Sequence, residues 1–244
     1  MINSQTSPKI CVVICNYNHT KFLKESINSI LNQSYKNLDI VVIDDGSDDQ
    51  EAVKEIINKI SDIRLRSIYL KNNTGKWNAL NSAISTTDAV FCTSHDADDI
   101  SLYWRLESQL EVLTKTKTAH NLCGFLPCWE EEEVRKNSSL SKPESIKFVS
   151  GDEVLNIVAY GFNTSGINHY FTGKFETAGV SAMFLKSLWD AGMRFNPPSK
   201  NLRVLHSEDS DFNCRTTLLV RSTSLLLETP YLYRRNTSTN REEK

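Results

Sequence analysis

Three aspartates fall within four positions, Asp96, Asp98 and Asp99, inside the stretch FCTSHDADDISLYWRLESQL that runs from Phe91 to Leu110. The stretch opens apolar and closes in a helical pattern, so the carboxylates stand at the mouth of a buried segment. Carboxylates this close repel one another, and low dielectric strengthens the repulsion. Either they lie fully in water or something positive sits among them. Two other apolar runs also end in polar groups, Asn16-Tyr17-Asn18 and Asp44-Asp45-Gly46, and HSEDSDFNCR near the C-terminus gathers Glu208, Asp209 and Asp211. A phosphate site built on glycine alone would need a GxxxxGK[ST] or GxGxxG loop, and the chain has neither. Carboxylates meet phosphate only through a divalent cation. Mg²⁺ or Mn²⁺ takes hard oxygen ligands from one or two carboxylates and leaves the remaining positions to water and substrate phosphates. Asp-x-Asp at a strand end can supply that set, whereas no EF-hand spacing follows it.

The elements that must position these groups are legible in the first hundred residues. KICVVICNYN reads as a strand buried on both faces, and LDIVVIDDGSDD as a second. IRLRSIYL reads as a third strand and DAVFCTS as a fourth. Between them KFLKESINSILNQSY, EAVKEIINKI and GKWNALNSAIS carry apolar residues at helical spacing. Alternation of this kind implies a mostly parallel sheet with right-handed crossovers. Ligands of such sheets bind beyond the carboxyl ends of the strands, where all three polar clusters would meet. Asp48 or Asp49 reads as a helix N-cap, and Trp77 as core packing. Beyond Gln109 the alternation fades. PCWEEEEVRKNSSLSKPES reads as a solvated face, and GFNTSGINHYFTGKF as a loop lining a site. VSAMFLKSLWDAGMRF restores a strand and then a helix, and residues from Asn236 onward form a polar tail.

The totals set bounds. A chain of 244 residues suits one large α/β domain, and a formal charge of −2 gives no electrostatic reason to expect nucleic acid as partner. No apolar run approaches the roughly 20 residues of a membrane span, and MINSQTSPKI has no signal-peptide core. A cytoplasmic location is therefore expected, with room for peripheral association at the inner face of the cell membrane. The six cysteines read as buried reduced thiols, since Cys123 and Cys128 lack a second pair at zinc spacing. His19, His169 and His206 read as surface or hydrogen-bonded residues.

VVICNYN, IVVIDDGSDD, NNTGKWNALNSAI, HDADD and HSEDSDFNCR, in this order and spacing, resemble the family 2 glycosyltransferases of the GT-A fold, over residues 9 to about 235. The resemblance implies a GT-A, Rossmann-like α/β domain spanning 1–244, with a mostly parallel central sheet flanked by helices. A nucleotide-sugar-binding half (9–110) would precede a smaller mixed half (111–235) bearing the acceptor site and catalytic base, then the tail (236–244). It implies transfer from a nucleotide diphosphate donor, usually UDP-linked, to a glycan or lipid-linked acceptor, with inversion and with Mn²⁺ or Mg²⁺. Bacterial surface polysaccharide synthesis is the expected setting. Carried over by position, Asn16 and Tyr17 would lie along the nucleotide, and Asp44 or Asp45 would read the base. Gly75, Lys76 and Asn78 would border the donor, Asp96 would approach the ribose or metal, and Asp98 would ligate the metal. Asp209 would be the base, with Glu208 beside it, while Asp99 suits a cap on the following helix. Two positions depart from the pattern: His95 replaces an apolar residue, and Asn236 stands where relatives carry a His. Without the four upstream motifs, Glu208, Asp209 and Asp211 could equally just open a helix; with them, catalysis is the expected role. A sugar nucleotidyltransferase would need a Gly-rich, basic first strand exit, which CNYNHT lacks; a non-catalytic nucleotide-sugar-binding module is the remaining alternative.

Overall fold

Strand β1 (Ile10–Asn16) is an uninterrupted apolar run because both of its faces are covered. Ile10, Val12 and Ile14 point to one layer, where they meet Leu23, Ile27 and Ile30 of helix α1 (Thr20–Leu31). Cys11 and Val13 point to the other, against Ala79, Leu80 and Ala83 of α3 (Lys76–Ile84). Strand β2 (Leu38–Asp44) divides its residues between the same two layers, with Ile40 and Val42 on the first and Val41 and Ile43 on the second. The period of two along each strand thus builds two cores from one sheet. Each fully buried aliphatic side chain contributes about 1.5–3 kcal/mol relative to exposure.

The structure is a computed structural model and describes residues 7–154, 181–198, 207–235 and 237. β1 pairs in parallel with β2 and with β4 (Phe91–Asp96), and β2 with β3 (Leu65–Tyr69). Helix α2 (Gln50–Asn58) follows β2 and is capped by Asp49, whose carboxylate accepts from the Ala52 amide at 3.0 Å. Ile63, expected in the third strand, is fully exposed and precedes it. Among the described residues the sheet continues past β4 through β8 (Met183–Leu185), β6 (His120–Cys128) and β9 (Thr223–Arg234) to the short β5 (Ile100–Ser101). β8 runs antiparallel to both its neighbours, β6 and β9 are parallel, and β7 (Phe148–Ser150) adds to β9 antiparallel. The first half is therefore parallel and the second mixed, as the sequence leads one to expect.

Helices α4 (Arg105–Thr116), α5 (Glu131–Asn137), α6 (Lys186–Asp190) and α7 (Glu208–Arg215) complete the described elements, with a π-helical turn after α7. The acidic run is not only a solvated face: it forms α5, with a capping box between Glu130 and Glu133, and Val134 is buried beneath it. β6 and β9 were not expected. Both carry strand-weakening residues, Gly124 and Pro127 in β6 and Pro230 in β9, and their register breaks after Cys123. All six cysteines are free thiols, and Trp77 packs on the second core layer. The expected loop at 161–175, His169, His206 and Asn236 lie outside the described residues.

Candidate active site

The parallel register aligns the strand exits. Asn16 stands opposite Asp44, and Cys15 opposite Asp96, so β1, β2 and β4 deliver their polar ends to one edge. A cleft of about 370 Å³ opens there. Asn16, Tyr17, Asp45, Gly75, Lys76, Asp96 and Asp98 all line it, while Asp44, Asn78, Glu208 and Asp209 do not.

Asp44 and Asp45 are adjacent in sequence and differ in placement. Asp44 is fully buried and accepts from Asn16 Nδ2 at 2.7 Å, Ser47 N at 3.1 Å, Ser47 Oγ at 2.6 Å and Gln50 Nε2 at 2.9 Å. Of the two, it is the one that cannot face a base: its oxygens shape the turn. Asp45 reaches the cleft while accepting from Thr74 N, Thr74 Oγ1 and Gly75 N, each at 2.9 Å. The turn that follows them needs Gly46, whose φ of +73° favours glycine and whose added Cβ would lie 2.4 Å from the Asn72 carbonyl carbon. Asn78 donates to Thr74 Oγ1 and so steadies this loop from outside the cleft.

Lys76, the first residue of α3, holds its ammonium 2.5 Å from Asp96 and 3.5 Å from Glu208. Burial works against this charge, but Asp96, Glu208 and Asp209 outweigh it and keep the lysine well above its ordinary pKa. Burial pushes the Asp96 carboxyl up to about 6, with Asp98 and Asp209 adding and Lys76 opposing. Asp98 meets Thr237 Oγ1, and its Oδ2 lies 3.8 Å from His19 Nδ1.

Asp99 is not a helix cap. It is fully buried, and α4 begins only at Arg105, so its carboxylate turns inward and accepts from the Tyr231 hydroxyl at 2.7 Å and the Arg234 amide at 2.9 Å. Oxygens of Asp96, Asp98 and Asp99 lie within 4.8 Å of one another. Both Asp99 oxygens are already engaged, so Asp96 and Asp98 are the pair that face the cleft. A hard-oxygen set of this kind fits Mg²⁺ or Mn²⁺.

Helix α7 brings the C-terminal acidic group. Ser207 caps it, and Glu208, Asp209 and Asp211 occupy its first turn, which suits the helix dipole. Asp211 is spent on Arg215 at 2.5 Å and Asn196 at 3.0 Å. Glu208 faces Lys76, whereas the Asp209 carboxylate accepts from the Ser210 amide at 2.7 Å and acts on Lys76 and Asp96 only through space.

Several residues at this edge escaped the sequence reading. His19 lines the cleft, and so do Arg234, Arg235 and Thr237 from the end of β9. Arg234 donates to the Asp98 carbonyl at 2.6 Å and to Glu25 at 2.5 Å. The pair of arginines in YRRNTSTN was the available signal. His95 is fully buried, 3.2 Å from Ser29 Oγ and from the Tyr231 hydroxyl, so both ring nitrogens of this buried histidine have a partner. Burial, then Arg105 and other cations, hold it well below the ordinary histidine pKa, so it is neutral.

Comparison with known proteins agrees with this geometry. The family model for glycosyl transferase family 2 matches residues 11–191, from β1 through α6. An uncharacterised glycosyltransferase of Haemophilus influenzae is 35% identical over 130 residues, 53% of this chain and 40% of its own length. TuaG of Bacillus subtilis, a glycosyltransferase named for teichuronic acid biosynthesis, is 24% identical over 175 residues, 71% of this chain and 67% of its own. Among solved structures, residues 1–349 of S. aureus TarS in complex with UDP superpose with a TM-score of 0.62 at 20% identity, over 93% of this chain and 60% of that one. The mannosyltransferase PcManGT of Pyrobaculum calidifontis, in complex with GDP-Man and Mn²⁺, gives 0.61 at 16%, over 97% and 59%. These likenesses establish the GT-A fold, and this chain spans only about half the length of the first relatives it matches. With the family model covering most of the sequence, the chain belongs to glycosyltransferase family 2.

Proposed function

We propose that this glycosyltransferase moves a sugar from a nucleoside diphosphate donor, a UDP-sugar, to a glycan or lipid-linked acceptor with inversion at the anomeric carbon. The observation that carries the reading is the bridge from Asp96 through Lys76 to Glu208, which joins the nucleotide cleft to the helix bearing Asp209. Residues 9–110 supply the donor half and 111–235 the acceptor side.

The cleft has groups for a nucleotide. Asn16 lines the cleft, and its Oδ1 is buried without a partner among the described residues. Asp45 and the backbone at Gly75 border the same space. Asp98 and Asp96 would hold Mn²⁺ or Mg²⁺, which offsets charge on the leaving diphosphate when bound. Lys76 and Arg235 add positive charge to the cleft walls.

In the transfer, Asp209 accepts the proton of an acceptor hydroxyl as that oxygen bonds to the anomeric carbon. The bond from that carbon to the diphosphate oxygen breaks, and the nucleoside diphosphate leaves with the electron pair. The pairing of Asp211 with Arg215 favours Asp209 over it as the base. TuaG is named for teichuronic acid biosynthesis, and TarS and PcManGT were solved with UDP and GDP-Man; together these support a nucleotide-sugar donor and a polysaccharide acceptor. No helix among the described residues is long and apolar enough to cross a membrane.

The test is a donor panel. UDP-, GDP- and dTDP-sugars are titrated by calorimetry with and without Mn²⁺, and the product's anomeric configuration is read by NMR. A β-glycoside from an α-linked UDP-sugar is expected. Retained configuration, or binding of no nucleotide sugar, overturns the reading.

A further inference from the structure

One buried oxygen touches both ends of the turn from Asp96 to Asp99, which Ser26 Oγ also holds by donating to Asp96 O at 3.0 Å. The Tyr231 hydroxyl accepts from the Asp96 amide at 3.2 Å and donates to Asp99 Oδ2 at 2.7 Å, touching both ends of the turn. The turn itself closes with Asp99 N donating to Asp96 O at 3.2 Å. The same hydroxyl lies 3.2 Å from His95 Nδ1, whose Nε2 lies 3.2 Å from Ser29 Oγ. Ser29 Oγ in turn accepts from the Ser101 amide just beyond the turn. Three residues along β9, Arg234 fixes Asp98 O and Asp99 Oδ1. Of the three carboxylates, that of Asp99 is the one braced from β9, and those of Asp96 and Asp98 are left to the cleft.

Tyr231 is fully buried and does not line the cleft. It cannot touch a ligand, so any effect it has on binding must pass through Asp96 and Asp98. Its ring is independently braced, edge-on to His95 at 5.2 Å and beneath the Arg105 guanidinium at 5.1 Å. The ring therefore keeps its place when the oxygen is removed.

We propose that the Tyr231 hydroxyl is a positioning group that sets the spacing of Asp96 and Asp98 for a divalent cation bound with the donor, an inference that rests on the metal-assisted donor site described above. A hydroxyl that fixes both ends of a ligand-bearing turn acts as the outer partners of metal ligands do, whose loss costs about 10–100-fold in metal affinity. An ordinary core tyrosine, by contrast, would lower stability alone.

Tyr231→Phe removes only the oxygen and keeps the ring. Two measurements are made on it and on wild type: calorimetric titration of UDP in Mn²⁺ and in EDTA, and amide hydrogen exchange of residues 96–99 without ligand. The expected result is faster exchange at Asp96 and Asp99, and a gain in UDP affinity from Mn²⁺ that falls about tenfold or more while affinity in EDTA is unchanged. An unchanged gain from Mn²⁺ overturns the proposal whatever happens to the melting temperature. If wild type itself gains nothing from Mn²⁺, the donor-site reading fails, and exchange alone decides whether the hydroxyl fixes the turn: faster exchange sustains that part and unchanged exchange overturns it. Should Tyr231→Phe not fold, Asp99→Ala removes the acceptor of the same hydroxyl from the other side, and the same outcomes apply.

Discussion

The exits of β2 and β4 each carry adjacent or near-adjacent aspartates, yet they use them in opposite ways. At the β2 exit Asp44 receives four hydrogen bonds and Asp45 three, all from neutral donors that fold the loop around them. At the β4 exit Asp96 is matched with one lysine, and Asp98 has a side-chain hydroxyl and a distant histidine. A carboxylate saturated by neutral donors is architecture, because its charge is already dispersed and removing it strands every donor. A carboxylate balanced by one side-chain cation can exchange that partner for a ligand.

Four experiments would break or sharpen this contrast. The largest effect is expected at neither exit but on α7. Asp209→Asn keeps the side chain's size and cannot take a proton, so transfer should fall by about 10²–10⁴ while UDP affinity holds. Full retained transfer would pass the role to Glu208, since Asp211 is committed to Arg215.

Next comes a pH effect confined to the second half. His120 on β6 is buried between Thr223 on β9 and Asn213 on α7, and burial lowers its pKa to about 4. The unfolded chain takes up that proton near pH 6.5 and the folded chain only near 4. Stability from this group is therefore complete above about 6.5 and is lost as pH falls through 4, a loss on the order of 3 kcal/mol. His120→Gln should flatten that part of the urea-midpoint profile; an unchanged profile would assign the acid sensitivity to other groups.

Asp44→Ala and Asp98→Ala compare the two exits directly. Asp44→Ala should cost about 2–4 kcal/mol in chemical denaturation, because it leaves buried donors on Asn16, Ser47 and Gln50 unmatched. Asp98→Ala should change ligand-free stability by no more than about 0.5 kcal/mol, or raise it by relieving repulsion, yet abolish the Mn²⁺-dependent part of UDP binding. Equal destabilisation by both would dissolve the distinction. Smallest in scope is Lys76→Ala, expected to weaken UDP binding by about 1–3 kcal/mol, with an unchanged Kd assigning the lysine to the fold alone.

Much of the first half could be read without coordinates, and the reason is physical. A parallel strand buried on both faces must be continuously apolar, so KICVVICN and LDIVVID announce themselves and their polar ends mark the edge where ligands bind. The difference between Asp44 and Asp45 was not legible, since it depends on which of two adjacent side chains points into the turn. Nor was the inward orientation of Asp99, which is decided by Tyr231 and Arg234 more than 130 positions away. β6 and β9 hid because each is broken by glycine or proline, and the register between them shifts after Cys123. His95 looked anomalous for the same reason: its partner lies on β9.

The sheet order has a consequence for synthesis. β4 ends at Asp96, but the strand that covers its outer edge, β8, begins only at Met183. At roughly 5–20 residues per second, a growing chain would hold that edge unpaired for on the order of ten seconds. During this interval the parallel half can already assemble, with β1 at the centre and α1 and α3 laid over its faces, while β4 offers a row of open amides and carbonyls to any neighbouring strand. A nascent chain arrested between these two points should therefore be the form most prone to self-association, and the full-length chain is protected by three residues, Met183 to Leu185, that close the gap.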